Sequence, residues 1–266
     1  MSNNRQIDSL KVILFMAIML LIVEMSPIIT NFFSGEMYQL VGTLTFFATF
    51  FFMYLTIVGF VQWDKTTISK LGIAVDNSTT SHIIIGAIAA VISAAVVIGI
   101  AFVYGAALRP LSHINADLIA SEIVITTPTA LFEELAHRGY ILSRLERLTG
   151  KTYAILISSL FFAFLHFSWW TYPTVNLLLI AIFSFNMFLG GVLLSLSYYW
   201  SGRKLWVPIS FHFAWNMLAY LIFPSFPTEV VIQPEIFQIE WGLTTILGFL
   251  LGISLLYGLL QTQKKK

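Results

Sequence analysis

Apolar runs dominate the chain from Lys11 onward, separated by short polar connections. A helix that crosses hydrocarbon takes about 20 mainly apolar residues, and the pattern predicts about eight of them. They cover residues 11–33, 38–62, 82–107, 118–143, 152–169, 174–200, 205–223 and 242–261. The first run continues through Pro27 to Phe33 without a small-residue cleavage pattern, so it reads as a retained helix kinked at Pro27 and not as a signal peptide. The connections are too short for a separate globular unit. The expected fold is therefore all-α, a polytopic transmembrane helix bundle forming one membrane domain over residues 1–266. Gln62 to Ser81 is the longest polar stretch on its side, and Lys70-Leu71-Gly72-Ile73 within it suggests a short surface element.

Charge placement gives the topology. Arg5 and Lys11, Lys65 and Lys70, Arg144, Arg147 and Lys151, Arg203 and Lys204, and Lys264 to Lys266 fall on alternate connections, with only Arg109 on the other side. The positive-inside bias then puts both termini in the cytoplasm, and the plasma membrane is the expected location. Glu229, Glu235 and Glu240 lie in the last external connection. Composition agrees: 10% of residues are charged and 58% hydrophobic, against about a quarter and about half in soluble domains. Mean hydropathy is +0.86. A net charge of +1 with no basic stripe gives no case for nucleic acid. The absence of cysteine excludes disulfides, thiol catalysis and thiolate metal sites. Tryptophans 63, 169, 170, 200, 206 and 241 sit near predicted helix ends, as an interfacial aromatic belt requires.

Ionisable groups inside a span are costly, about 2.5 to 3.5 kcal/mol each at the centre, and point to function. The fourth span reads Thr129-Ala130-Leu131-Phe132-Glu133-Glu134-Leu135-Ala136-His137-Arg138-Gly139. Its i,i+4 pairs Glu133/His137 and Glu134/Arg138 lie on adjacent helix faces. Snorkelling at a wet helix end would explain such charges, but Glu133 lies roughly 16 to 21 Å along the axis from Arg144 and Arg147. The fifth span is apolar up to His166, apart from its serines. Alone, such a histidine is more often a packed residue than a catalyst. The seventh span adds His212 and Asn216, one turn apart on one face. Three helices thus bring Glu133, Glu134, Arg138, His166, His212 and Asn216 to overlapping depths. The set suffices for hydrolysis of an amide by water: Glu133 as base, His166 holding the water, His212 and Asn216 donating to the oxyanion, and Glu134 with Arg138 as the charge pair that makes the site tolerable in hydrocarbon.

Glu-Glu-x-x-x-Arg at 133–138, Phe-x-x-x-His at 162–166 and His-x-x-x-Asn at 212–216 resemble, in order, the three motifs of the CPBP family. That family includes the CAAX prenyl endopeptidases and the bacterial Abi-type immunity and bacteriocin-processing proteins. The resemblance covers residues 118–222, taken as the peptidase core. It implies an eight-helix fold, an intramembrane endopeptidase, a peptide or protein substrate that is membrane-associated or lipidated, and contact with membrane lipid. The family has been described both as metal-dependent and as using a glutamate-activated water. His137 departs from it, since an aromatic residue usually precedes the arginine, and a packing role like that of the ring it replaces is expected. Glu133, His166 and His212 are also of the right types for a zinc site, yet no His-Glu-x-x-His motif is present, so a divalent metal stays open and no cofactor is required. Two other readings of the polar cluster are a non-catalytic membrane immunity or scaffold protein of the same fold, and a small transporter using the cluster as a relay. Inverted repeats would favour the transporter, and here the polar residues occupy one half of the chain. Gly190-Gly191, Gly248 and Gly252 permit close helix approach.

Overall fold

A computed structural model describes residues 3–106, 108–167, 175–224 and 231–264. Among them every regular element is helical: α1 (Asn3–Thr30), α2 (Gly35–Trp63), α3 (Thr79–Val103), α4 (Ala116–Glu134), α5 (Ser143–Thr149), α6 (Lys151–Leu165), α7 (Leu177–Trp200), α8 (Trp206–Ile222), α9 (Pro234–Phe237) and α10 (Thr244–Lys264). Each predicted span overlaps helical segments among the described residues. Five of these helices, α1, α2, α3, α7 and α10, are long and apolar enough to cross a membrane by themselves. The other three candidates fall short for visible reasons. α4 carries Asp117, Glu122, Glu133 and Glu134, while α6 has 15 residues and α8 has 17.

Packing divides the bundle in two. In one part α3 lies against α8 and α10, α7 against α10, and α4 against α8. Their shared core is built from Ala89, Ala90, Ala94, Val97, Leu193, Phe211 and Trp215. The small face of α3 lets α8 come close, and a Cβ on Gly86 would run into Ser210 Oγ and the Val207 carbonyl. The glycines noted in the sequence serve the same purpose inside the molecule. Gly191 abuts Ser159 of α6, Gly248 abuts Val97 and Trp215, and Gly252 abuts Leu193 and Phe211.

In the other part, α1 and α2 form a hairpin whose buried apolar residues lie toward one end: Val12, Phe15 and Met19 on α1, and Phe50, Met53, Ile57, Phe60 and Val61 on α2. Near the turn the hairpin is exposed, with Phe32 at 82%. A cluster of charges fixes its root. Asp64 accepts from Lys11 at 2.8 Å and from Arg144 at 2.9 Å, and the Arg144 guanidinium lies 4.2 Å over the Tyr140 ring. At the same end of the bundle Arg203 pairs with Glu146, Lys204 with Asp76, and the Arg5 guanidinium donates to the Leu148 carbonyl. The expected surface element appears as a 3-10 turn over Ile68–Leu71, ended by left-handed Gly72, whose carbonyl accepts from the Leu205 amide. Trp63, Trp200 and Trp206 occupy helix ends as expected, while Trp169 and Trp170 lie outside the described residues.

Candidate active site

The polar residues meet between the two packed parts. The helix that carries three of them does not remain α-helical: Leu135–Leu142 forms a π-helical run, buried at every position, that links α4 to α5. Wider turns of this kind recur at functional sites because they turn side chains off the α-helical register. Arg138, at the centre of the run, is fully buried. Its Nη1 donates to Glu134 Oε1 at 2.9 Å, its Nη2 donates to the Gly191 carbonyl at 3.0 Å, and its guanidinium lies 4.4 Å from the centre of the Phe162 ring. Arginine suits the position because its planar fork reaches two acceptors while its face rests on an aromatic ring. Of the two i,i+4 pairs expected on this helix, Glu134/Arg138 forms as an ion pair. Glu133 faces His166 instead of His137.

Glu134 is also fully buried, and Oε1 accepts a second hydrogen bond, from His212 Nδ1 at 3.0 Å. A carboxylate can only accept, so Nδ1 carries the proton and Nε2 points the other way. The Phe162 carbonyl fixes His166 in the same manner: it lies 2.7 Å from Nδ1, which must be the donor. His166 Nε2 then lies 3.5 Å from Glu133 Oε2. That is longer than an ordinary direct hydrogen bond. His137 is buried with its ring edge-on to Phe162, 5.0 Å between centres, and 5.8 Å from Phe161, so it packs as the aromatic ring it replaces would.

Glu133, His166, His212 and Asn216 line one cavity of about 140 Å³, with Thr129, Trp215 and Tyr220 among its other walls. All six polar residues singled out in the sequence are therefore gathered, four on the cavity and two, Glu134 and Arg138, behind it. Among the described residues no group of three or more His, Asp or Glu side chains is arranged to hold a metal ion. The donor set that residue types alone would allow, Glu133, His166 and His212, does not converge in that way, because the carboxylate that meets His212 is Glu134.

Two acidic residues near these walls were not anticipated. Glu240, expected in an external connection, lines the same cavity. Its backbone is left-handed at φ 67°, held by Thr245 Oγ1, which accepts from its amide at 2.9 Å, and by Asn186 Nδ2, which donates to its carbonyl at 2.8 Å. Nothing local in the sequence announces this fold-back. Glu24, in the middle of α1, lines an adjoining cavity that also touches Glu133 and His166. Its signal was available as a carboxylate within an apolar span.

No curated protein matches the chain. The family model for Rce1-like type II CAAX prenyl endopeptidases matches residues 115–218. This is an integral membrane protein, and the stretch that carries all six motif residues is similar to the Rce1-like type II CAAX prenyl endopeptidase family.

Proposed function

We propose that the chain is an intramembrane endopeptidase that hydrolyses a peptide bond with water activated by Glu133. One observation carries the reading: Glu133 and His166 come from different helices and present Oε2 and Nε2 to each other at 3.5 Å on the wall of a cavity that also holds His212 and Asn216. Both atoms are acceptors, because the one ring proton of neutral His166 sits on Nδ1, which donates to the Phe162 carbonyl. A water beside them donates one hydrogen to each, which leaves its lone pairs free for attack. Glu133 takes the proton as the water adds to the scissile carbonyl, and passes it to the departing amine. The Asn216 amide donates to the oxyanion. His212 donates to it as well when Nε2 carries a proton, its ring held at Nδ1 by the Glu134 carboxylate. Arg138 holds Glu134, and through it His212, in place.

The substrate is a peptide or protein, and we take it to be lipidated near the cut. An apolar groove of about 620 Å³ between α1 and α2, walled by Ile18, Ile22, Met25 and Ile29, is of suitable size and character for an acyl or isoprenoid chain. We place residues 118–222 as the peptidase core of a single domain, in the plasma membrane with both termini cytoplasmic. The alternation of basic residues supports that orientation.

The test is cleavage of fluorogenic peptides, with and without a C-terminal isoprenyl cysteine, by protein purified in detergent. Glu133→Ala and His166→Ala should each lower kcat/KM by about 10²- to 10⁴-fold without lowering the unfolding temperature by more than a few degrees. Activity that survives a chelator supports water held by Glu133 and His166; activity lost in chelator and restored by zinc would replace this mechanism with a metal-bound water. Undiminished cleavage by both variants would overturn the assignment.

A further inference from the structure

Glu24 is 7% exposed, and neither of its carboxylate oxygens has a hydrogen-bond partner among the described residues. It lies about 20 Å along α1 from Lys11, and Glu133 lies about 16 Å along its helix from Arg144. Lys11 and Arg144 both bind Asp64, so the two carboxylates sit at similar depth below one layer of charge. Both line a cavity of about 290 Å³ whose other walls include Phe46, Phe50, Met53 and His166, with no lysine or arginine among them. The two hydroxyl side chains on its wall are engaged elsewhere. Ser26 donates to Thr45 Oγ1, and Thr49 donates to the Thr45 carbonyl. A buried ionised carboxylate without a partner is strongly unfavourable, so Glu24 carries its charge here only when a cation from outside the chain lies beside it.

We propose that this cavity is a specificity subsite for a lysine or arginine side chain of the peptide substrate. Glu24 would pair with the cationic head, and the rings of Phe46 and Phe50 with Met53 would cover the methylene stem. The inference rests on the peptidase reading, because the cavity shares Glu133 and His166 with the catalytic one. A side chain lodged here belongs to a residue close to the scissile bond, since extended chain advances only about 3.3 to 3.6 Å per residue. Glu24 and the walls of hairpin origin lie outside residues 115–218, which match the family model, so the preference would be set by α1 and α2.

The experiment uses peptides in which a single lysine is walked through the three positions on either side of the bond, each paired with a norleucine peptide of nearly equal volume and no charge. Wild-type protein should favour lysine over norleucine by at least tenfold in kcat/KM at one position. Glu24→Gln should reduce that ratio to about one, and Glu24→Asp should retain part of it. Binding of the same fluorescent pairs to Glu133→Gln protein reads the subsite without cleavage, so loss of the peptidase reading leaves this test standing. Tenfold tighter binding of the lysine peptide, abolished by adding Glu24→Gln, supports the subsite. Equal binding of lysine and norleucine peptides at every position, or a preference that persists in Glu24→Gln, would overturn it.

Discussion

At the residue scale, Glu133 and Glu134 are neighbours in the chain with opposite employments. Glu134 is fully buried and bound to Arg138 and His212, whereas Glu133 faces a cavity on each side. Arg138→Met should therefore cost about 3 to 5 kcal/mol, because it leaves the Glu134 charge buried without its main partner. Adding Glu134→Gln should recover a large part of that loss, and thermal unfolding of both proteins in detergent measures it. An equal loss in the single and double variants would show that packing of the guanidinium against Phe162 matters more than its charge. The spacing of Glu133, Glu134, Arg138, His166, His212 and Asn216 was enough to single out these residues, since few forces other than function keep ionisable groups inside a span. Which carboxylate meets which histidine was not legible. That depends on where the helix leaves the α-helical register, and no single-residue signal in Leu135–Leu142 reports it.

At the element scale, close approach of helices decides whether the arginine is held. The Gly191 carbonyl accepts from Arg138 because α7 and α6 touch there, and a Cβ on Gly191 would stand 2.9 Å from Ser159 Cβ and 3.0 Å from Ser159 Cα. Gly191→Ala should cost about 1 to 3 kcal/mol by overpacking. It should also lower activity, since the shift carries the carbonyl away from Arg138. Ser159→Gly in the same chain should restore some of both, which unfolding and peptide cleavage can follow together. The glycine pair was visible in the sequence as a means of close approach, but its partner helix was not. Helix length was the least legible feature. Hydropathy placed all the long helices, yet it ran α4 through its π segment and did not show that α6 and α8 are shorter than the five long helices.

At the scale of the whole molecule, the hairpin of α1 and α2 is fastened to the remainder through Asp64. Burial raises the Asp64 pKa, but hydrogen bonds from Lys11 and Arg144 and their charges outweigh it and hold the carboxyl below its ordinary value. A depressed folded pKa means that this fastening is complete above the unfolded value of about 4 and is lost as pH falls through the folded one. Hydrogen exchange in α1 and α2 should thus rise steeply below about pH 4 in the wild type. In Asp64→Asn it should already be elevated at neutral pH and respond less to acid. A hairpin whose exchange ignored both changes would be held by its apolar root alone.

Past Met19 on α1 and before Phe50 on α2 the hairpin buries few residues against its neighbours, and Phe32 near the turn is 82% exposed. The wall that bears Glu24 is consequently a cantilever, anchored at its base and little supported toward its turn. On the proposed reading, its stiffness as well as its chemistry sets how bulky a peptide is admitted, and a guest that bridges Glu24 and the Glu133–His166 pair would brace the beam that received it.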